Sequence, residues 1–153
     1  MVKPAVTIEL SEAERQEMSA ADPADEATVP EGAPQLRIIA MPRDANPSGS
    51  IFGGWTLSQM DLAGGTFAAA HAHGRVATVA VDAMRFLRPV AVGDEVSCWC
   101  TLEEHGDSSL KVRVETWARD RASDHAEKVT EGVFTFVALG EDGQPRSLNA
   151  REA

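Results

Sequence analysis

The apolar and polar positions of the chain change their period near residue 74. From Gly54 onward, apolar and small residues recur every three or four positions, which predicts one long amphipathic helix that ends at His71 or His73. Gly74 suits the position after the helix, and the two histidines would complement the negative end of its dipole. The residues predicted to share one face of this helix are Leu57, Asp61, Gly64 and Ala68.

Beyond residue 74 the period becomes two, which indicates strands. Four segments alternate in this way, at residues 76–90, 94–106, 108–120 and 127–140, and a shorter strand is predicted at 35–40. Their short connections require an antiparallel sheet. The small residues along the helix indicate that the sheet wraps around it. The predicted fold is therefore α+β, an antiparallel β-sheet wrapped around one long central helix.

Residues 1–34 differ in composition from the rest and are predicted to form a flexible acidic leader, with a short helix within Ser11–Ala20. The folded domain is expected to span 35–148, followed by a tail at 149–153. The net charge is −10, and residues 1–35 hold eight acidic residues against two basic ones. This balance disfavours a protein that binds nucleic acid or anionic membranes. The chain shows no apolar leader or membrane-length apolar run, so we expect a cytoplasmic protein.

Cys98 and Cys100 lie two positions apart on one predicted strand, so their side chains share a face. Neighbours at that spacing rarely form a disulfide, and two thiols alone make a poor zinc site. The side chains of His71 and His73 point in different directions on a helix. We therefore expect buried free thiols and no metal.

Asp61 is the polar residue that raises a chemical question, because Met60 and Leu62 flank it within the apolar helix. One interpretation is an ordinary acid on the helix surface. The other is a carboxylate held on an apolar face, where it could act as a base toward a water molecule. The residues alone leave both interpretations open.

Gly53 and Gly54 precede this helix. They can be a flexible loop end, or they can leave the N–H groups of the first helical turn open to a carbonyl oxygen, which would make an oxyanion hole. Asn46, just before Pro47, has the sequence context of a turn former.

Several cations are candidate contacts for an anionic ligand, although each one taken singly is also explained as a surface charge. They are Arg75, Arg85, Arg88, Lys111 and Arg113. No histidine occurs between Leu36 and Ala70, which disfavours a dehydratase, and the motifs of serine nucleophiles and phosphate-binding loops are absent from the sequence.

Two segments carry a family resemblance: RIIAMPRDANPSGSIFGGWTLSQMDLAGG at 37–65 and HGRVATVAVDAMRFLRPVAVGDEV at 73–96. Together they resemble the YciA-type acyl-CoA thioesterases of the hotdog superfamily, over roughly residues 35–148. The resemblance implies a hotdog fold and hydrolysis of acyl-CoA to coenzyme A and a carboxylic acid. It places the catalytic acid on Asp61, the loop asparagine on Asn46 and the oxyanion-hole glycines on Gly53 and Gly54.

For coenzyme A as the ligand, the candidate contacts are chosen from the positions of the residues themselves, such as the strand ends at Arg75 and Arg88. No cofactor is expected, since coenzyme A is itself the product. The residues expected to contact coenzyme A are Arg75, Arg88, Ser109 and Arg113. The chain departs from the family at residues 70–73, where AHAH replaces a charged turn, so the preferred acyl length stays open.

In this mechanism Asp61 would deprotonate a water or attack the carbonyl itself, while the amide of Gly54 holds the oxyanion and Asn46 orients the water or the carboxylate. Asp61 lies seven residues beyond Gly54, roughly 10 Å along the helix axis, so one chain cannot bring both to the same reacting group.

Two antiparallel helices side by side could do so, and the small residues Ala63, Gly64 and Gly65 would let them approach closely. We therefore expect a homodimer with composite sites, and the resemblance suggests that dimers assemble into hexamers. The alternative from another class is a non-catalytic acyl-CoA-binding domain, which would gain nothing from a costly buried carboxylate.

Overall fold

The computed structural model describes residues 11–13 and 27–150. Most of the predicted helix within Ser11–Ala20, most of the leader and the last residues of the tail lie outside the described residues. Within the part that is described, no helix is both long and apolar enough to cross a membrane.

The described chain forms one long helix and one five-stranded antiparallel sheet. The helix is α1 (Gly53–Ala72), and a 3₁₀ turn at Pro42–Asp44 precedes it. The strands are β1 (Leu36–Ile39), β2 (Val76–Phe86), β3 (Glu95–His105), β4 (Ser109–Arg119) and β5 (Ala126–Ala138). They are ordered β1-β3-β4-β5-β2, and α1 contacts all five. The predicted α+β fold is confirmed, with each predicted strand in place.

The main core lies between α1 and the sheet. Its fully buried side chains include Met60 and Ala68 from the helix and Val114, Phe134 and Phe136 from the strands. The two cysteines belong to this layer as predicted: both are free, Cys98 is buried and Cys100 is partly buried against the core.

Gly64 is the point where α1 comes closest to the sheet. A Cβ at this position would stand 3.0 Å from Phe136 and 3.3 Å from Val114, so only glycine fits without displacing a buried ring. Ala63 is buried in the same core. Ala63 and Gly64 therefore serve the packing of the helix on its own sheet and do not face a second helix, whereas Gly65 is half-buried and lines an open cleft, so its predicted role stays a prediction.

The helix ends where it was predicted to end, at Ala72, with His73 as its C-cap and Gly74 in the position after it. His73 takes the left-handed conformation, at φ 53°. Arg146 then covers the helix end: its Nη2 donates to the carbonyl of Ala72 at 2.6 Å, and its Nε donates to the carbonyl of Leu139 at 3.2 Å. A Cβ on Gly74 would lie 2.6 Å from this guanidinium, so Gly74 is small because an arginine caps the helix over it.

A second, smaller core fixes the loop that leads into α1. Ala40, Ile51, Val90 and Val129 are buried together beneath the segment 40–52, with Trp55 packed against them. Backbone hydrogen bonds from Ile51 to Val90 and from Phe52 to Asp44 hold the same segment. The first turn of α1 therefore starts from a fixed position.

The sheet face opposite α1 carries half-buried ion pairs. Lys128 bonds to Glu115 at 2.8 Å and to Glu131 at 2.6 Å, and Arg113 pairs with Glu103 and Glu131. Burial opposes the charge of Lys128, but its hydrogen bonds to the two glutamates hold the pKa of the ammonium above its ordinary value. These charged side chains on this face of the sheet are therefore already paired with one another.

Candidate active site

Asp61 lies in a cleft between α1 and β2. The cleft has a volume of about 400 Å³ and is lined by one side of the helix, the start of β2 and the ring of Phe136. Asp61 is half-buried, at the border of the helix face that packs on the sheet. The sequence pattern places Asp61 on the same helix face as Gly64 and Ala68. In the structure Gly64 and Ala68 are buried in the core, whereas Asp61 lines the cleft.

Thr78 holds the Asp61 carboxylate. The hydroxyl Oγ1 of Thr78 donates a hydrogen bond of 2.6 Å to Oδ1 of Asp61. The second carboxylate oxygen has no hydrogen bond within the described residues, so it can take a proton from a bound molecule. Sequence analysis missed Thr78; the only available signal was its position beside Val76 in the alternation of β2, on the side that faces the helix.

The first turn of α1 presents two open amides. Neither the N–H of Gly53 nor that of Gly54 has an acceptor within the described chain, and both residues are exposed. A Cβ on Gly54 would meet nothing within 4 Å, and its φ does not lie in the left-handed range, so neither packing nor backbone conformation requires glycine there. A Cβ on Gly53 would lie 3.3 Å from the ring of Phe86. What a side chain at Gly54 would obstruct is the approach of another molecule to the amide.

Asn46 is held in the loop before the helix. Its Oδ1 accepts the backbone N–H groups of Ser48 at 2.9 Å and Ser50 at 3.2 Å, which is the turn-forming role predicted for it. These bonds orient the amide and leave its NH₂ group without an acceptor among the described residues. Asn46 can therefore both shape the loop and donate to a ligand.

The predicted cationic contacts separate in space. Arg75 lines the Asp61 cleft. Arg113 lies on the opposite face of the sheet in its ion pairs, and Ser109 begins β4 outside the residues that line the cleft. Arg88 lies half-buried two residues after the end of β2. Only Arg75 shares the cleft with Asp61, and the coenzyme A contacts of all four residues stay predictions.

The oxyanion amides and the carboxylate do not meet within one chain. Seven residues of straight helix separate Gly54 from Asp61, roughly 10 Å along its axis. Among the residues that the structure describes, no group of three or more His, Cys, Asp or Glu side chains is placed to hold a metal ion.

Comparisons with known proteins find a matching family model and similar chains. Residues 48–124 match the family model described as the thioesterase superfamily. The acyl-CoA thioester hydrolase YciA of Escherichia coli K12 is 47% identical over 123 residues, which cover 78% of this chain and 93% of that protein.

Two solved structures share the fold. The hexameric thioesterase from Yersinia pestis is 46% identical, with a TM-score of 0.75 over 80% of this chain and 100% of that one. An acyl-CoA hydrolase from Staphylococcus aureus, solved with butyryl coenzyme A, coenzyme A and coenzyme A disulfide, is 28% identical, with a TM-score of 0.69 over 73% of this chain and 68% of that one.

Proposed function

The chain belongs to the thioesterase superfamily, with the hotdog fold and among the YciA-type acyl-CoA thioester hydrolases, and from this premise we propose how it hydrolyses its substrate. It is an acyl-CoA thioester hydrolase, and Asp61 is its general base. The observation that carries the assignment is the half-buried Asp61 carboxylate, fixed by Thr78 in an open cleft of about 400 Å³.

In the proposed reaction Asp61 removes a proton from a water molecule, and the water oxygen attacks the thioester carbonyl carbon. The carbonyl oxygen becomes an oxyanion that accepts the N–H groups of Gly54 and Gly53 at the positive end of α1. When the intermediate collapses, the C–S bond breaks and the coenzyme A thiolate takes the proton back from Asp61. A thiolate is a good leaving group, so the reaction needs no stronger acid. Asn46 supports the site through its free NH₂ group, which can orient the water.

The site is shared between two chains in this proposal. The roughly 10 Å between Gly54 and Asp61 is too long for one reacting group, whereas two antiparallel helices can offer the glycines of one chain to the aspartate of the other. A surface suited to pairing is present. It consists of exposed apolar side chains along β2 and at the start of α1, here called the edge patch: Phe52, Val79, Val81 and Phe86.

The edge patch also borders an unpaired strand. β2 is the last strand of the sheet and bonds only to β5 among the described strands, so its outer edge is open for a second copy of the chain. The two chains would bring their cleft sides together there. By analogy with the hexameric relative from Yersinia pestis, three such dimers would form the assembly.

The general-base role is tested with Asp61→Asn. This variant keeps the size of the side chain and should fold normally, but kcat for acyl-CoA should fall by at least about a hundredfold, because the amide cannot accept the proton. Glu141→Gln, an exposed acid in the turn after β5, is the matched control and should retain full activity. Wild-type turnover by Asp61→Asn would overturn the assignment.

A second measurement separates a base from a nucleophile. A single turnover in water enriched in oxygen-18 should place the label only in the carboxylic acid if Asp61 is a base. Label in the Asp61 carboxylate, detected by peptide mass spectrometry, would show that Asp61 attacks the thioester itself.

A further inference from the structure

The cleft between Asp61 and Arg75 has an apolar wall. Leu62, Gly65 and Ala69 line it from α1, and Val76 and Phe136 line it from the sheet. Leu62 is 57% exposed and adds its side chain to the apolar lining of the cleft. A surface of this kind is suited to covering an apolar ligand.

The polar groups of this wall are already engaged. The hydroxyl of Thr66 donates to the carbonyl of Leu62 at 2.8 Å, and the hydroxyl of Thr78 donates to Asp61. The pantetheine arm of coenzyme A carries amide groups that need hydrogen-bond partners, and unpaired buried amides are costly. A hydrocarbon chain has no such need. The wall therefore fits the acyl group of the substrate better than pantetheine.

Arg75 lies at the other end of this wall, immediately before β2. Arg75 is exposed at the rim of the cleft, and its guanidinium makes no hydrogen bond or ion pair within the described residues. Thr78, which bonds to Asp61, lies three residues of extended chain after Arg75, roughly 10 Å, so an acyl chain of medium length could run along the wall from Asp61 toward Arg75.

We propose that this enzyme hydrolyses dicarboxylyl-CoA thioesters, in which the acyl chain ends in a second carboxylate and Arg75 binds that carboxylate. The inference rests on the proposed catalytic role of Asp61, which fixes the thioester at one end of the cleft. The planar guanidinium can donate two parallel hydrogen bonds to a carboxylate, which an ordinary acyl chain with a terminal methyl group cannot accept.

The test compares matched pairs of substrates. The kcat/KM of the wild-type enzyme is measured for adipyl-CoA against hexanoyl-CoA and for suberyl-CoA against octanoyl-CoA, which differ only in the terminal group. Arg75→Met keeps the length of the side chain and removes its charge. We expect this variant to lower the ratio of dicarboxylyl to monocarboxylyl kcat/KM by about tenfold or more, which is typical for loss of a charge-assisted pair. Arg75→Lys should recover part of the ratio.

A control variant shows whether loss of any surface arginine changes the substrate ratio. Arg121→Met, in the turn at the opposite end of the sheet, should leave the ratio at the wild-type value. An unchanged ratio in Arg75→Met, or a wild-type enzyme that hydrolyses hexanoyl-CoA but not adipyl-CoA, would overturn the proposal.

Acyl-pantetheine substrates lack the phosphates of coenzyme A, so they test whether Arg75 binds those phosphates and not the acyl terminus. A loss with Arg75→Met that is the same for both terminal groups, and disappears when pantetheine replaces coenzyme A, would overturn the proposal and assign Arg75 to the coenzyme A phosphates. Asp61→Asn tests the chemistry independently: its full activity would refute the base, whereas the ratio in Arg75→Met reports only on the acyl terminus.

Discussion

At the scale of single residues, the proposed site depends on the Asp61 carboxylate, which a hydrogen bond orients and no ion pair neutralises among the described residues. Thr78 occupies one oxygen of Asp61, and no cation is paired with Asp61 among the described residues. A salt bridge at this position would hold the carboxylate in place but weaken it as a base. A neutral hydroxyl orients the group and leaves its charge available.

Thr78 is therefore predicted to position the base. Thr78→Val keeps the shape of the side chain and removes the donor, so the carboxylate can rotate out of line. We expect kcat to fall by about tenfold while KM changes little, since the loss concerns the reacting group and not the bulk of the substrate. Steady-state kinetics on one acyl-CoA measures both quantities.

Thr78→Ser is the matched variant, because it restores the hydroxyl without the methyl group. It should recover most of the lost kcat. If serine were as impaired as valine, the methyl contact and not the hydrogen bond would be what matters at this position.

At the scale of elements, Gly54 and Gly64 lie on the same helix, but the absence of a side chain serves a different purpose at each position. Gly54→Ala adds a Cβ in open space at the helix start, so stability should be unchanged or rise by up to about 1 kcal/mol. Its kcat should nonetheless fall, since the methyl group hinders approach to the amide. Loss of one oxyanion donor costs on the order of 10²–10³ in kcat, which sets the upper limit.

Gly64→Ala should give the reverse pattern in thermal unfolding. Its Cβ would stand 3.0 Å from Phe136, a residue that is 1% exposed and whose ring would have to shift, so overpacking should destabilise the protein by about 1–3 kcal/mol. A stabilised Gly64→Ala, or a Gly54→Ala that unfolds early and keeps wild-type kcat, would contradict this division of roles.

The elements themselves were predictable from sequence, whereas contacts between distant elements were not. The change of period near residue 74 located α1 and the strands within a few residues, and the glycine pair and Asp61 indicated α1 as the helix of the candidate site. Thr78 is 17 positions from Asp61 and meets it only through the place of β2 beside the helix. Arg146 is 74 positions from Ala72 and caps α1 from the end of the chain. Periodicity describes one element at a time, so neither contact was visible in it.

At the scale of the whole molecule, the shared site can be tested by mixing chains. Asp61→Asn and Gly54→Val are each expected to be inactive. In a heterodimer of the two, one site would contain both defects and the other neither. Random refolding of an equal mixture should therefore restore about a quarter of wild-type activity, since half of the dimers are mixed and each has one intact site.

A second mixture has the opposite expectation. The double variant Asp61→Asn with Gly54→Val, refolded with wild-type chains, should form mixed dimers in which both sites are defective. Activity above that of the wild-type homodimers present in this mixture would mean that each chain carries its own complete site. So would a verified mixed dimer from the first experiment that stays inactive.

The two buried cysteines have a practical consequence for all of these measurements. Release of coenzyme A is followed with reagents that colour when a thiolate attacks them, and an enzyme with reactive cysteines contributes a background of its own. Here Cys98 is 0% exposed, and burial together with the neighbouring Cys98 raises the pKa of Cys100 to about 12. At pH 8 the Cys100 thiol would therefore stay protonated and react slowly. Since these are the only cysteines in the chain, the colour should report product alone, even with the high enzyme concentrations that slow variants require.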